Sequence, residues 1–208
     1  MLQEERSERS RTALLDAALA LFSSQGYRAT SVRDIADRAG TSTGSVYHHF
    51  RDKEAIFQTL LDQFWQASSS PDFPLNRVFE DGAFPDDLPA IGRAAQEMVA
   101  RWRPYIALIY VDVVEFEGRH IHRFYAHLAE RFQQFLARRP DLHIADRIRD
   151  GIPPAVAMML TTRIYMYYSV VETLFGVPDH YGLKSADATK LIAEVLTGGM
   201  VKARQAGG

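Results

Sequence analysis

The segment Thr41 to Phe50, with the sequence TSTGSVYHHF, holds the side chains of this chain that are best suited to chemistry. Its hydroxyl and imidazole groups donate and accept hydrogen bonds, and Val46 and Phe50 stand one helical turn apart. We therefore predict a helix of about two turns, capped by Thr41 or Ser42, that buries one edge. Its polar face could bind phosphates or base edges of duplex DNA if other helices brace it from behind.

Helices on either side of this segment are predicted to supply that brace. Apolar residues at helical spacing predict a first helix that ends at Gly26. A second helix, Val32 to Ala39, can be capped by Ser31, with Asp34 as the acid of a capping box. Asp52 can cap a fourth helix. Two short helices joined by a tight turn, the second with a polar face, are typical of a helix-turn-helix.

The stretch Thr30 to Phe57, TSVRDIADRAGTSTGSVYHHFRDKEAIF, resembles the DNA-binding domain of the TetR (tetracycline repressor) family. Its most specific part is a Tyr-x-x-Phe pattern followed by a Lys-Glu pair, here Tyr47, Phe50, Lys53 and Glu54. The resemblance implies an all-α protein in which an N-terminal three-helix domain binds DNA. It also implies a larger helical domain that binds a ligand and dimerises.

The resemblance implies roles for individual residues. Phosphate contacts are implied for Tyr47 and Lys53, and base contacts for Thr43, Ser45 and His48. Thr43 stands where many family members have Lys or Arg, the residue types that read guanine. Charge and helix N-termini add candidates, so the expected DNA-binding residues are Arg28, Ser31, Arg33, Thr43, Ser45, Tyr47, His48 and Lys53. Tyr47 and His49 could alternatively pack between helices.

Composition narrows the possible classes of protein. The chain has 208 residues, a formal net charge of -2 and no cysteine, which excludes disulfides, thiol catalysis and thiolate zinc sites. Residues 1–60 contain eight basic and eight acidic side chains, so we expect a modest dependence of DNA affinity on salt. The charged start, MLQEERSERSR, is unlike a signal peptide. We expect a solvated N-terminal arm and a cytoplasmic protein.

The sequence predicts two domains in an all-α fold. A DNA-binding helix-turn-helix domain is expected over residues 1–60, and a ligand-binding and dimerisation domain over 61–208. The stretch 66–90, rich in proline, serine and acidic residues, is interpreted as a separator. Further helices are predicted at about 89–102, 104–116, 119–139, 154–175 and 186–202.

One recognition helix reads too few base pairs to find a genomic site, so a homodimer is expected. The last two helices, about 154–202, carry more apolar surface than one small domain needs to cover. The candidate interface residues are Val156, Leu160, Ile164, Val170, Val171, Leu174, Leu191, Ile192, Val195 and Met200.

Large apolar side chains in the middle of the chain are expected to line an effector pocket or to pack in the core. The predicted ligand-binding residues are Trp102, Tyr105, Tyr110, Phe116, Phe124, Met159, Arg163, Tyr165 and Met166. Arg163 lies in an apolar helix, so we expect it to pair with Asp112, Glu115 or an anionic ligand. An anionic effector would be an elongated acid or acyl thioester, whereas the aromatic residues alone do not distinguish a lipid, an aromatic compound or a drug.

Metal and membrane functions fit the sequence less well. Glu117 with His120, or His120 with His127, could hold a metal, but a solvated histidine face is the simpler interpretation. The apolar stretch 155–177 contains Arg163, which argues for a helix buried in protein rather than a membrane span. We therefore expect no metal, no cofactor and no membrane partner.

Two other classes of protein remain as alternatives. An enzyme is not expected, because the sequence has no glycine-rich phosphate loop and no Ser, His and Asp set in a strand-turn context. A helical adaptor that binds only protein would have no need for the polar face of residues 41–50. The interpretation that fits best is a ligand-responsive transcriptional repressor, although the same architecture could serve an activator.

Overall fold

The computed structural model describes residues 2–203 and has the predicted all-α architecture. Within this range the chain forms two compact units. The first unit comprises the residues up to 68 together with 104–124, and the second comprises 69–103 together with the described residues from 125 onward. The first unit therefore combines the N-terminal helices with residues 104–124, a segment from later in the chain.

Four helices build the N-terminal part of the first unit: α1 (Leu2–Gln25), α2 (Val32–Arg38), α3 (Thr43–His49) and α4 (Lys53–Ser68). The helix ends agree with the predicted caps. Gly26 follows α1 with φ +88°, a conformation that glycine adopts without the cost of a Cβ atom. Ser31 and Asp34 form the predicted capping box of α2. The side chain of Asp52 accepts a hydrogen bond from the amide of Ala55 and so caps α4.

The N-terminal arm differs from the expectation of a solvated extension. Residues from Leu2 onward are helical and continuous with α1, and the side chains of residues 4–9 are exposed. The segment is rich in Glu and Arg, which are good helix formers. The arm is therefore solvated as expected, but it has a regular structure that the prediction missed.

Helix α7 (Arg103–Phe116) and the start of α8 (Ile121–Arg138) complete the first unit. Leu108 and Phe116 of α7 lie in the same buried cluster as the apolar faces of α1 to α4. Burial of one such side chain contributes about 1.5–3 kcal/mol. The cluster includes Leu14, Phe22, Ile35, Val46, Phe50, Phe57, Leu60 and Leu61.

The second unit contains α5 (Pro74–Glu80), α6 (Leu88–Arg101), the rest of α8, α9 (Ile144–Arg147), α10 (Pro154–Thr173) and α11 (Ser185–Met200). Helix α5 was not predicted, because the stretch 66–90 was interpreted as a separator. It forms because Leu75 and Phe79 are buried, with Pro74 at its first turn. No helix within residues 2–203 is long and apolar enough to cross a membrane.

Close packing of α6 on α10 and α11 depends on Gly92. A Cβ atom at this position would lie 2.8 Å from Cε1 of Tyr165 and 2.7 Å from Cγ2 of Thr189. Tyr165 is buried, and its hydroxyl donates a hydrogen bond of 3.2 Å to the carbonyl of Thr189. The absence of a side chain at Gly92 thus allows three helices of the second unit to meet.

Candidate functional site

Helix α3 has the shape that the sequence predicts for a DNA-reading helix. Ser42 caps it, because its hydroxyl accepts a hydrogen bond of 3.2 Å from the amide of Ser45. Val46 and Phe50 are buried in the cluster that also contains Ile35 and Ala36 of α2. The helix is therefore braced along one edge, and its opposite face is free of the core.

Polar side chains occupy the outer face of α3. Thr43 and His48 are exposed, and Tyr47 is 58% exposed. Ser45 differs, because it is half-buried and its Oγ lies 3.4 Å from the Oγ of Ser10 on α1. His49 is also half-buried, and burial lowers its pKa, as do the nearby His48 and Arg11. The face thus presents two hydroxyl groups and one imidazole outward, at Thr43, Tyr47 and His48.

The predicted phosphate contacts near α2 differ in their freedom to reach a ligand. The side chains of Arg28 and Arg33 are 79% and 83% exposed. The hydroxyl of Ser31 instead donates a hydrogen bond of 2.7 Å to the Asp34 carboxylate, which also accepts from the Ser31 amide. This carboxylate offsets part of the positive potential at the start of α2.

Lys53 lies against protein carbonyls. Its Nζ donates hydrogen bonds of 2.8 Å to the carbonyl of Tyr27 and 2.7 Å to the carbonyl of Thr30. The ammonium also lies 4.0 Å from the centre of the Tyr27 ring. Burial lowers the pKa of Lys53, although nearby Glu115 and Asp34 act in the opposite direction. At least two of its three N–H donors are used inside the first unit.

Two acidic residues of α7 that sequence reasoning named only as partners for Arg163 have other roles. Both oxygens of the Glu115 carboxylate accept backbone N–H groups, from Tyr27 at 2.9 Å and from Arg28 at 2.6 Å. Asp112 is fully buried, and its carboxylate lies 2.6 Å from Nδ1 of His120. Periodicity could not reveal these contacts, because a buried acid in an apolar helix shows only that a partner exists.

Aromatic rings at the end of α4 bring together two of the predicted ligand-binding residues. The ring of Phe124 stacks on Trp65 with centres 4.2 Å apart, and Tyr105 stacks on Phe64 at 5.9 Å. Phe64 and Trp65 are in contact at 5.1 Å. Sequence reasoning did not include Trp65 among the ligand-binding residues, although two adjacent aromatic residues near a helix end were a usable signal.

The other predicted ligand-binding residues of the first unit lie elsewhere. Phe116 packs between Tyr27 and Phe57 at 4.6 and 4.9 Å, close to the DNA-reading helices. Tyr110 is partly exposed on α7. The roles of both residues in ligand binding stay predictions.

Five of the predicted ligand-binding residues belong to the second unit. Trp102 lies with its ring 6.1 Å from Phe73. Met159 and Met166 are half-buried on α10, and Tyr165 is buried against α6 and α11. Arg163 is exposed, and its guanidinium lies 5.1 Å from the centre of the Tyr125 ring.

The expectation that Arg163 pairs with Asp112 or Glu115 was wrong in its premise. It assumed that the guanidinium is buried in an apolar helix, whereas the side chain is exposed, so no large desolvation penalty arises. The carboxylates of Asp112 and Glu115 are engaged inside the first unit. Contact between Arg163 and an anionic effector stays a prediction.

Apolar side chains are exposed along one face of α10 and along one face of α11. This apolar stripe consists of Val156, Leu160, Ile164, Tyr167, Leu191 and Val195. Three residues predicted for the same surface, Val170, Ile192 and Met200, are instead buried in the core of the second unit. Helical periodicity alone did not separate the inner face of each helix from its outer face.

Helices α2 and α3 form a braced two-helix unit with a polar outer face. This arrangement is that of a helix-turn-helix DNA-binding protein. Residues 14–60 match the family described as "Bacterial regulatory proteins, tetR family". The N-terminal domain of this chain is therefore a DNA-binding domain of the TetR family.

Relatives of known name match the same region. The transcriptional repressor KstR2 of Rhodococcus jostii is 56% identical over 54 residues, which is 26% of each chain. The transcriptional regulator AcrR of Shigella flexneri is 39% identical over 67 residues, 32% of this chain and 29% of AcrR. The matches thus span about a quarter to a third of these relatives. They are transcriptional regulators, in agreement with the expectation that the chain is not an enzyme.

Solved structures extend the likeness to the whole fold. NalD of Pseudomonas aeruginosa, the secondary repressor of the MexAB-OprM multidrug efflux pump, matches with a TM-score of 0.64 and 22% identity, over 94% of this chain and 98% of NalD. The ketosteroid regulator KstR2 of Mycobacterium tuberculosis matches with a TM-score of 0.54 and 22% identity, over 93% of this chain and 95% of KstR2. At these identities the likeness concerns the fold alone.

Proposed function

We propose that this chain is a ligand-responsive transcriptional repressor that binds a palindromic operator as a homodimer and releases it when a small, largely apolar effector binds. The observation that carries the proposal is the braced α3 with Thr43, Tyr47 and His48 exposed on its outer face. Relatives of its N-terminal domain and of its fold include repressors, namely KstR2 and NalD.

The outer face of α3 suits the major groove of duplex DNA. Thr43 and His48 offer short donors and acceptors for base edges, and Tyr47 offers a hydroxyl for a phosphate. Exposed Arg28 and Arg33 supply charge for further phosphates. Ser45 and Ser31 have hydroxyls in contact with other protein groups, so we assign them a smaller share of the DNA contacts.

A second copy of the chain is the proposed occupant of the apolar stripe. Its six exposed residues belong to the two helices predicted for dimerisation, and such an exposed surface marks an interaction site. A two-fold axis would pair the surface with itself and present two recognition helices. Helices about 34–36 Å apart would enter successive major grooves.

The effector is proposed to contact the aromatic group formed by Phe64, Trp65, Tyr105 and Phe124. Stacked rings of this kind offer a large apolar contact area for a small molecule. Exposed Arg163 of the second unit is a separate candidate for contact with an anionic effector, such as a carboxylic acid or an acyl thioester, and is not assigned to this aromatic group. An effector that prefers the released state would weaken operator binding by its differential affinity, about 1–3 kcal/mol.

Selection from a pool of random-sequence duplexes tests the DNA-binding function. The purified chain is expected to enrich an inverted repeat whose half-sites lie about one helical turn apart. Thr43→Ala and Tyr47→Phe should each weaken binding of the enriched duplex by about five-fold or more, because each removes a hydroxyl contact. Gln58→Ala, at an exposed polar position of α4, is the matched control. Enrichment of sequences without a common motif would refute the function.

Sedimentation equilibrium tests the proposed dimer. Val195→Glu should give a monomer, because it places a charge at a residue of the apolar stripe that is 65% exposed in the single chain. Val114→Glu is the matched control, since Val114 is 78% exposed on α7 and lies outside the stripe. If both variants remain dimeric, the proposed interface is wrong. A reporter gene under a promoter that overlaps the enriched duplex distinguishes repression from activation.

A further inference from the structure

The corner between α1 and α2 determines where the helix-turn-helix begins. Gly26 ends α1 with φ +88°, and α2 starts after the cap at Ser31. Between them the Thr30 amide donates to the Tyr27 carbonyl at 3.2 Å, and the Thr30 hydroxyl donates to the Gly26 carbonyl at 2.8 Å. A shift of this corner would therefore move α2, and with it α3.

A carboxylate from α7 holds the amides of this corner. Glu115 accepts the N–H groups of Tyr27 and Arg28, one on each oxygen. These amides follow the end of α1, and carboxylate acceptors form shorter and stronger hydrogen bonds with them than neutral groups do. The side chain of Glu115 is only 15% exposed. A Cβ atom at Gly26 would lie 2.6 Å from Oε1 of Glu115, so the carboxylate fits because residue 26 is glycine.

An ammonium group from α4 holds the carbonyls of the same corner. Lys53 donates to the carbonyls of Tyr27 and Thr30, and it covers the Tyr27 ring. Tyr27 thus has its N–H bound by a carboxylate and its carbonyl bound by an ammonium. A cation is also favourable at the C-terminal end of a helix such as α1. Glu115, Lys53 and the backbone of 26–30 together form what we call the corner clamp.

We infer that Glu115 and Lys53 are positioning residues for operator recognition, which hold the α1–α2 corner so that α3 meets base edges in the correct register. The inference rests on the proposed operator-binding function and deepens it. It assigns Lys53 a role through the protein backbone, whereas the family resemblance implies a phosphate contact. It also assigns a role in DNA reading to a residue that lies far along the chain from the helix-turn-helix.

The ratio of specific to non-specific DNA affinity separates positioning from a general loss of fold. Base contacts require correct geometry, whereas non-specific binding depends mainly on charge. A partly unfolded variant would lose both affinities in the same proportion. The test is to measure binding of the wild type and of the variants to two duplexes of equal length. One is the duplex enriched by the wild type, and the other has a random sequence.

Glu115→Gln is the main variant, because its amide NH2 would face one of the two backbone N–H groups. The specific to non-specific ratio should fall about ten-fold, in keeping with the loss of a charge-assisted hydrogen bond. Glu117→Gln makes the same change of charge two residues away, at an exposed position, and should keep the ratio within about two-fold. Amide hydrogen exchange at Tyr27 and Arg28 should speed up in Glu115→Gln and not in Glu117→Gln.

Gly26→Ala provides a second variant that leaves both clamp residues in place. Alanine is strained at φ +88°, and its methyl group would also collide with the Glu115 carboxylate, so the ratio should fall. In a Glu115→Ala background the collision is removed and only the backbone strain remains, so the further fall caused by Gly26→Ala should be smaller. The positioning role is overturned if the wild type enriches a duplex but Glu115→Gln and Gly26→Ala keep the wild-type ratio within two-fold. A wild type that enriches no duplex instead refutes the operator-binding function itself.

Discussion

Replacement of Asp112 by alanine is expected to destabilise the first unit by about 4 kcal/mol. The buried carboxylate accepts N–H groups from Ile121 at 2.9 Å and His120 at 3.2 Å, and its other oxygen lies 2.6 Å from Nδ1 of His120. Each of the two amides left without an acceptor costs about 1–3 kcal/mol. The two amides together account for about 2–6 kcal/mol, and about 4 kcal/mol is the middle of that range.

Asp112→Asn should cost much less, about 1 kcal/mol. Its amide oxygen can still accept the two backbone N–H groups, and its NH2 can donate to Nδ1 of His120 when the ring proton is on Nε2. The difference in stability between the two variants therefore measures how much the hydrogen bonds accepted in the turn between α7 and α8 contribute to folding. Asp62→Ala, at an exposed position on α4, should change stability by no more than about 0.5 kcal/mol.

Urea unfolding followed by far-ultraviolet circular dichroism measures these differences. Protein concentration must be constant throughout, because dimer formation contributes to apparent stability. The slope of the free energy of unfolding against urea should be unchanged, so that a shift of the midpoint reports stability. An Asp112→Ala variant within 1 kcal/mol of the wild type, or an Asp112→Asn variant as unstable as Asp112→Ala, would refute the reasoning.

Two further predictions concern the core of the second unit. Gly92→Ala should destabilise the protein by about 1–3 kcal/mol, because its Cβ would collide with Tyr165 and Thr189, and thermal unfolding should show a lower Tm. Burial raises the pKa of Tyr165 and of Tyr168 to about 12, so stability should be complete below about pH 10 and fall as the pH rises towards 12, where the unfolded chain ionises first. Tyr165→Phe removes one of these phenols and should reduce the slope of this loss in urea titrations at pH 10 to 12, to which Tyr27 and Tyr105 also contribute because burial raises their pKa; an unchanged slope would contradict the assignment.

Local patterns accounted for the helices and their ends. The periodicity of apolar residues predicted α1 to α4, α6 to α8, α10 and α11, and Ser31, Ser42, Asp52 and Gly26 occupy the cap positions expected of them. These features depend on residues within one or two turns of each other, so a sequence displays them directly. Helix α5 escaped prediction because its formation depends on burial of Phe79 among aromatic residues from elsewhere in the second unit.

The amino-acid sequence by itself determined the all-α class, the helix-turn-helix and the polar face of residues 43–48. Only the tertiary structure decided that Lys53 turns towards the carbonyls of Tyr27 and Thr30, and that Arg163 is exposed. Only the tertiary structure placed Glu115 on amides 87 and 88 positions away in the chain. The physical reason is that the local sequence around a charged residue is the same whether its side chain reaches solvent, DNA or a distant backbone group. The direction it takes is set by which unpaired backbone groups the packing of other helices brings within reach.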